Sequence, residues 1–329
     1  MVITFGEIMM RLTAPGRQRF VQAENFDITY GGGEANTAAA LAQMGVPAAH
    51  VTVFPDNDLG RSAAAFFRKT GIDTRHFVFG EGRLGLYFME VGAGIRPSRI
   101  VYDRYDSAFA RLDPAWFDWE KIFDGAHWFH WTGITPAISE SAARACADAI
   151  RAARRLGITV STDVNYRRVL WQYGKTASDV MPALVEGCDI AVCTEGDALD
   201  IFGIESADFQ DMARQMARRF PNLKQIIATR RDALSASHNR LTGLCFDGKD
   251  YLESPVFDLN PIVDRIGGGD AFMAGYIYGT LHQTGLPDTL AFATAASALK
   301  HTIEGDFNLL NAAEVEQVMR GDVSGRLLR

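Results

Sequence analysis

The 329-residue sequence predicts an α/β fold, in which a doubly wound, mainly parallel sheet is flanked by helices and carries a small inserted β-sheet as a lid. From about residue 122 onward, short apolar runs that suit buried strands alternate with amphipathic helical runs, which is typical of βαβ units. Two other segments, about 11–30 and 83–112, are rich in aromatic and β-branched residues and lack a helical period. We therefore expect a single domain over residues 1–329, with a discontinuous lid formed by these two segments.

The order of the elements follows from the same patterns. MVITF at the start lacks the basic residues and the cleavage site of a signal peptide, so it is predicted to be the first strand. Later strands are predicted at AHWFHW (126–131), ITVSTDV (158–164), CDIAVC (188–193) and KQIIAT (224–229). Helices are predicted over 139–156, 177–186, from 195, and over 209–220, 270–285, 287–301 and 312–319. In the lid, LYFMEVG and SRIVYDRYD are expected to pair as antiparallel strands across a turn at GAGIRPS.

Composition and charge exclude several classes of function. The chain has 33 Lys and Arg against 40 Asp and Glu, a net charge of −7, which argues against a general nucleic-acid binder and against docking on anionic membranes. No run approaches the length of about 18 apolar residues that a membrane span needs. The four cysteines show no C-x-x-C spacing, so they are interpreted as reduced thiols of a cytoplasmic protein. The expected partner is a small molecule.

The strongest chemical signal is VDRIGGGDAFMAGYIYG (263–279). Gly267, Gly268 and Gly269 directly precede an acid and an apolar helical run. Glycines allow a tight turn that points successive N–H groups at a ligand, and the following helix adds its positive end, so a phosphate group is a suitable ligand. Asp270 at the start of this helix would then act as a general base on an attacking hydroxyl. A flexible loop with an N-capping aspartate fits the spacing equally well.

A second glycine cluster, YGGGEANTAAALAQMG (30–45), also leads into a helix. Its backbone could approach a ligand closely, or it could form only a tight turn between a strand and a helix. Two glycine-rich helix starts at opposite ends of the chain suggest two ligands that meet in one cleft.

The pair of GGGEAN and DRIGGGDAF resembles the two signatures of the ribokinase-like (phosphofructokinase-B) sugar kinases. The pattern of that family, D-T-x-G-A-G-D-x-F, is matched at 264–272 with arginine in place of threonine and glycine in place of alanine. The resemblance extends from TFGEIMMRL to SGRLLR. Within the family, the motifs ITYGGGEANTAAALAQMG, VYDRYDSAFA, WFHWTGITPA, STDVNYRRVLW, IVDRIGGGDAF and LKHTIEGDF together resemble the branch of 2-keto-3-deoxygluconate (KDG) kinases.

This resemblance implies a role for each matching residue. Asp270 would be the catalytic base and Gly267, Gly268 and Gly269 the anion hole for the transferring phosphoryl group. The residues implied in substrate binding, besides Asp270, are Gly32, Tyr87, Tyr102, Arg104, Arg167 and Asp306. The residues implied in nucleotide binding, besides the three glycines, are Asn165, Arg167, Thr229, Arg230, Arg231 and Leu234. The implied cofactors are ATP and Mg²⁺, and a monovalent cation is left open.

Two motifs depart from the family pattern. Where the family has N-x-x-E, this chain has Thr194 and Asp197, which would still offer oxygen atoms for an indirect contact to the metal. The loop that in the family reads K-x-G-x-x-G is here TRRDAL (229–234), without glycine. These departures concern nucleotide binding more than phosphoryl transfer.

The sequence therefore predicts an ATP-dependent kinase that phosphorylates the 6-hydroxyl of KDG. Arg104 and Arg167 favour a sugar acid over a neutral ketohexose, because a carboxylate suits a planar guanidinium donor. A fructokinase-like ketose kinase is the alternative within the family, and a catalytically silent sugar-acid binding protein is the alternative outside it. The sequence leaves open the gluconate or galactonate form of the acid and ATP or ADP as the donor. We also expect a homodimer that associates through the lid.

Overall fold

The computed structural model describes residues 1–322, and the segment SGRLLR lies outside the described residues. The strands are β1 Val2–Phe5, β2 Met9–Thr13, β3 Asp27–Gly31, β4 Ala48–Pro55, β5 Phe77–Gly80, β6 Gly85–Glu90, β7 Arg99–Asp103, β8 Trp128–Thr132, β9 Thr159–Asp163, β10 Ile190–Val192, β11 Gln225–Ser235, β12 His238–Phe246, β13 Tyr251–Glu253 and β14 Phe257–Leu259. The helices are α1 Gly33–Gln43, α2 Asp58–Arg68, α3 Trp119–Ile122, α4 Ile134–Ile138, α5 Glu140–Arg155, α6 Ala177–Val185, α7 Glu195–Phe202, α8 Phe209–Arg219, α9 Gly268–Leu281, α10 Leu286–Lys300 and α11 Ala312–Met319.

The main sheet has the order β13-β12-β11-β10-β9-β8-β1-β4-β5, and β14 pairs with β12. All neighbours from β11 to β5 are parallel. Alternate residues of the central strands enter different cores: Phe129 and Trp131 pack with α5 to α8, whereas Trp128 packs with α1, α9 and α10. A strand that is buried on both faces reads as a continuous apolar run, which is why MVITF and AHWFHW were recognisable. The predicted doubly wound α/β fold is confirmed.

The β11–β12 hairpin corrects one prediction. The segment 229–234 was expected to be a loop after a strand at 224–229, but β11 continues to Ser235 and pairs antiparallel with β12. Thr229 lies opposite Gly243, and Ala233 lies opposite Asn239. The outer half of β11 is exposed and lacks the apolar pattern from which a buried strand can be predicted.

The last long helices follow the prediction except at one end. α9 ends at Leu281, although the pattern predicted a helix to residue 285. Gln283 and Gly285 both have a positive φ, of 54° and 85°, which is incompatible with a continuing right-handed helix. The chain therefore turns there and starts α10 at Leu286.

The predicted lid is a separate four-stranded sheet with the order β3-β2-β6-β7. β6 and β7 are antiparallel as expected, with Tyr87 opposite Tyr102, whereas β2 and β6 are parallel. Behind β7 the chain returns to the main body, where Phe109 and Leu112 are buried in the core. The lid stands over the carboxyl ends of the parallel strands, where open α/β sheets bind their ligands.

Over residues 1–322, none of the helices has both the length and the apolar character that crossing a bilayer requires.

Candidate active site

The two glycine-rich helix starts meet at one cleft between the lid and the carboxyl edge of the sheet. The cleft has a volume of about 280 Å³. Most of the sequence-predicted site residues line it, namely Gly32, Tyr87, Tyr102, Arg104, Asn165, Arg167, Gly267, Gly268, Gly269, Asp270 and Asp306. Both glycine clusters therefore face one cleft, and the prediction that two ligands meet there stays a prediction.

The glycine turn before α9 is built so that side chains cannot replace Gly267 or Gly268. Gly267 caps α9 in the left-handed conformation with φ +81°, and a Cβ there would collide with the carbonyl oxygen of Asp306. A Cβ at Gly268 would come within 2.7 Å of His301 Cε1. At Gly269 the space is open towards the cleft, and within the described chain no acceptor binds the N–H groups of Gly269 and Asp270. These free donors at a helix start form a cradle for an anion.

Asp270 lies at the third position of α9 and is partly buried. The side-chain amide of Asn36, on α1, donates a hydrogen bond of 2.7 Å to Asp270 Oδ2. Burial raises the pKa of Asp270 to about 7, the nearby Glu34 and Asp306 carboxylates add to the rise, and the Asn36 hydrogen bond opposes it. A carboxyl group with a pKa close to neutral is suited to take a proton from a hydroxyl.

Glu34 fixes the start of α1. Its Oε1 accepts hydrogen bonds from the Thr132 backbone N–H at 3.0 Å, the Thr132 hydroxyl at 2.9 Å and the Thr135 hydroxyl at 2.6 Å. Burial raises the pKa of Glu34, although these donors oppose the rise. The contacts join α1 to the end of β8. Glu34 thus fixes the part of α1 that carries Asn36, two residues further on, beside Asp270.

A buried ionic network joins the lid to the cradle. Arg11 of β2 contacts Asp306 Oδ1 at 2.8 Å and Asp264 Oδ2 at 2.6 Å. The Tyr87 hydroxyl of β6 donates to Asp306 Oδ2 at 2.6 Å. Both oxygens of Asp306 are therefore held by the lid, and burial raises its pKa while Arg11 and Tyr87 oppose that rise.

Arg104 is 4% exposed, so it is buried rather than solvated. Its Nε and Nη2 contact Oε2 of the buried Glu7 at 2.8 and 2.5 Å. Within residues 1–322, Arg104 Nη1 forms no hydrogen bond to another protein group, and Glu7 Oε1 has no hydrogen-bond partner either. One amino group of Arg104 thus remains for a ligand in the cleft.

Asn165 and Arg167 follow β9 on the other side of the cleft. Asn165 has φ +38°, and its backbone N–H donates to Asp163 Oδ1 at 3.1 Å. Arg167 is exposed, and no carboxylate pairs with it in the part of the chain that the structure describes. Asp163 Oδ2 lies 4.0 Å from where a Cβ on Gly269 would be. Burial raises the pKa of Asp163 to about 8, with contributions from Asp197 and Asp270.

The other predicted nucleotide and metal residues do not line this cleft. Thr229, Arg230, Arg231 and Leu234 lie along β11, and Arg230 forms a bidentate pair with Glu253 at 3.0 and 2.8 Å. Thr194 and Asp197 cap α7 together, with 2.7 Å from the Thr194 hydroxyl to Asp197 Oδ2. Their roles in nucleotide and metal binding stay predictions.

Arg265 connects the β11–β12 hairpin to the cleft. It lines the cleft beside the glycine turn and donates to the carbonyl oxygens of Ser235 and Ala236 at 3.1 and 2.7 Å. The substitution of arginine for the threonine of the family pattern therefore anchors the tip of this hairpin.

Several residues of the site were missed by sequence reasoning: Glu7, Arg11, Glu34, Asn36, Asp163, Asp264 and Lys300. Glu34 and Asn36 belong to the GGGEAN motif, so a signal was present for them. Arg11 is a charged residue in an apolar strand, which is a weak signal of a buried ion pair. Nothing in the sequence distinguishes Lys300 from an ordinary lysine at the end of a helix.

A larger groove of about 410 Å³ lies between α5 and α6, away from the cleft. Its three arginines are engaged by neighbouring acids: Arg151 by Asp148, Arg154 by Asp189 and Arg155 by Glu120. The groove does not combine a free carboxyl group with an anion cradle as the cleft does. The cleft is therefore the better candidate for an active site.

Comparisons with known proteins agree with this geometry. The sequence profile of the pfkB family of carbohydrate kinases matches residues 1–311. The structure is similar to that of a 2-dehydro-3-deoxygluconokinase from Thermotoga maritima, with 42% identity, a TM-score of 0.93, and coverage of 97% of this chain and 99% of the other. A pfkB family carbohydrate kinase from Listeria grayi is 35% identical, with a TM-score of 0.92 and coverage of 97% and 99%. A 2-dehydro-3-deoxygalactonokinase from Haloferax volcanii is 31% identical, with coverage of 98% of both chains.

The raised pKa of Asp270 predicts how the stability of the protein depends on pH. The folded protein keeps this proton up to about pH 7, whereas an unfolded chain releases it near 3.8, so wild-type stability falls as the pH rises between these values. The variant Asp270→Asn has no such proton and should be more stable by about 1–3 kcal/mol above pH 7, but not below pH 4. Urea unfolding at pH 4 and pH 8 measures the difference.

Asp288 provides the matched control, because it is an exposed aspartate at the same third position of α10. A gain of equal size and equal pH dependence in Asp288→Asn would contradict burial as the cause.

Proposed function

Because the chain belongs to the pfkB family of carbohydrate kinases, we propose that its cleft transfers the γ-phosphoryl group of ATP to the 6-hydroxyl of KDG, giving 2-keto-3-deoxy-6-phosphogluconate. The observation that carries the proposal is the position of Asp270: it lines one cleft together with the anion cradle and two arginines, one from the lid and one from the body. The names of the relatives from Thermotoga maritima and Haloferax volcanii support the substrate class, since 2-dehydro-3-deoxygluconate is KDG and the galactonate form is its epimer.

The proposed step uses Asp270 as the base. Its carboxylate takes the proton of the sugar hydroxyl, and the hydroxyl oxygen forms a bond to the γ-phosphorus of ATP. The bond from that phosphorus to the bridging oxygen breaks, and ADP leaves. The free N–H groups of Gly269 and Asp270, with the positive end of α9, stabilise the charge on the phosphoryl group during transfer.

The donor and the metal are part of the proposal. Two carboxylates, Asp163 and Asp270, line the cleft beside the cradle. Within residues 1–322 there is no group of three His, Cys, Asp or Glu side chains that could hold a metal ion. This arrangement fits Mg²⁺ that arrives on the triphosphate and keeps mainly phosphate oxygens and water as ligands. The metal neutralises charge on the phosphates when it is bound.

Specificity for a sugar acid would come from the two arginines. Arg104 reaches the cleft from the lid with one amino group free, and Arg167 reaches it from the loop after β9. Both could bind one carboxylate when the lid closes. A ketose kinase has no use for two cations there, so the alternative of a fructokinase is disfavoured. The intact Asp270 and cradle disfavour a silent binding protein.

We place this activity in the cytoplasm. The four cysteines are buried free thiols, as expected for a reducing compartment.

Replacing the proposed base should slow the chemical step. Asp270→Asn should lower kcat by roughly 10²–10⁴-fold, the usual effect of removing a positioned base. In wild type, kcat/KM should rise with pH and level off above about pH 7, because the base must be deprotonated. Asn36→Leu removes the hydrogen bond that favours the carboxylate, so the rise should shift to higher pH. A profile that does not move in Asn36→Leu would contradict this assignment.

Removing either arginine of the cleft should change the choice of substrate. Charge-assisted hydrogen bonds are worth about 1.5–3 kcal/mol each, so Arg104→Ala and Arg167→Ala should each lower kcat/KM for KDG by roughly 10–150-fold. Turnover of fructose should fall much less. The assay compares KDG, its galactonate epimer and fructose, with Arg168→Ala, an exposed neighbour, as the control.

The variant Arg104→Ala leaves the buried Glu7 without its ion-pair partner. The stability of this variant is therefore compared with that of the double variant Glu7→Gln/Arg104→Ala, in which the unpaired charge is removed. If the arginine variants depress KDG and fructose equally, the sugar-acid assignment loses its support.

The exposed edges of the lid should mediate assembly. All of β7 is exposed at one edge of the lid, where Val101 is an exposed apolar residue, and Ile28 is exposed on β3 at the other edge. We expect a homodimer through the lids, which sedimentation at two concentrations measures. Val101→Lys should shift the equilibrium towards monomers, and a wild type that stays monomeric at both concentrations would refute the dimer.

A further inference from the structure

Lys300, the last residue of α10, is a buried cation that the proposed step does not use. Its exposure is 0%, and its ammonium group donates one hydrogen bond, of 3.0 Å, to the carbonyl oxygen of Ile303. Burying an ammonium group with one neutral partner is costly unless nearby charges compensate. Charged groups near Lys300 must therefore compensate for the burial of its ammonium group.

The charges around Lys300 belong to the active site. Asp264, Asp306 and Asp270 all interact favourably with its ammonium group, and Arg11 opposes them. Arg11 is already shared between Asp264 and Asp306. Two carboxylates thus share one guanidinium group and Asp270 is a third acid near Lys300, so Lys300 supplies a second positive charge to this cluster.

Lys300 also lies directly under the glycine turn. A Cβ on Gly267 would come within 3.3 Å of Lys300 Cε. The neighbouring residues of α10 support the same turn: the Ser297 hydroxyl donates to the carbonyl oxygen of Gly268 at 2.8 Å, and His301 lies against Gly268. The last turn of α10 therefore forms the underside of the anion cradle.

We propose that Lys300 is the cation of this cradle: it balances the carboxylates below the glycine turn and keeps the turn favourable for a phosphoryl group, so that catalysis needs no added monovalent cation. Lys300 acts through Gly267 and the carboxylates and is thus a positioning residue. The inference rests on the proposed kinase function, and it proposes an answer to the question of a monovalent cation, which the family resemblance leaves open.

The first test uses wild-type enzyme at constant ionic strength in KCl or in tetramethylammonium chloride. The rates should agree within about 2-fold, because the protein carries its own cation. A stimulation by K⁺ of about 5-fold or more would overturn the proposal. If the wild type turns over fructose but not KDG, the sugar-acid assignment fails, and the cation test is run on fructose.

The second test changes the side chain. Lys300→Met keeps the length and removes the charge, and it should lower kcat by about 10–100-fold with little change in KM for ATP. Lys300→Ala should lower kcat by as much. K⁺ and methylammonium, which are smaller than the side chain that is removed, should restore part of the kcat of this variant, whereas the bulkier tetramethylammonium should not. Lys300→Met should show no such rescue.

Lys224→Met is the matched control, because Lys224 is exposed and pairs with Asp189 ahead of β11, at the opposite edge of the sheet. A folded Lys300→Met variant with wild-type kcat would refute the proposal, as would equal losses in Lys224→Met. If the Lys300 variants fail to fold, the comparison of KCl with tetramethylammonium chloride in wild type decides alone.

Discussion

The guanidinium group of Arg11 connects three parts of the chain that must meet for the cleft to exist. It lies on lid strand β2, and its two amino groups bind Asp264, just before the glycine turn, and Asp306, just after α10. Asp264 in turn accepts hydrogen bonds from the backbone N–H groups of Ile266 and Gly305 at 3.0 and 3.1 Å. The lid is therefore positioned over the cradle by buried charges with defined geometry, and losing one partner would leave others buried and unpaired.

The properties of the other acids in the site also depend on the burial of many charged groups in one place. Acids at the carboxyl edge of the sheet are held away from water, so burial raises the pKa of Glu34, Asp163 and Asp270. These buried carboxyl groups differ in the hydrogen-bond donors that surround them. Glu34 is satisfied by three donors and becomes structural, whereas Asp270 has a single side-chain donor and remains able to exchange a proton. Similar carboxyl groups acquire different roles because their donors differ.

Those parts of the molecule that depend on a local sequence pattern could be predicted from the sequence. Strands buried on both faces, such as β1 and β8, and glycine-rich helix starts have strong signals, so the fold and the lining of the cleft were predictable. The outer half of β11 was not, because an exposed hairpin has polar residues that also suit a loop. Nor could the partners of Arg11 be found, since Asp264 and Asp306 lie more than 250 residues further along the chain. Long-range pairing of charges leaves no periodic pattern.

As the proposed base, Asp270, whose pKa burial raises to about 7, would make the cleft responsive to the acid that the reaction releases. Moving a phosphoryl group from ATP to an alcohol sets free roughly one proton at neutral pH, and in the proposed step Asp270 takes that proton before it reaches the solvent. In a poorly buffered volume, rapid turnover would lower the local pH and return part of the enzyme to its protonated, inactive form. A single partly buried carboxyl group would thereby provide product feedback without a second binding site, and its strength would depend on how quickly the surroundings carry protons away.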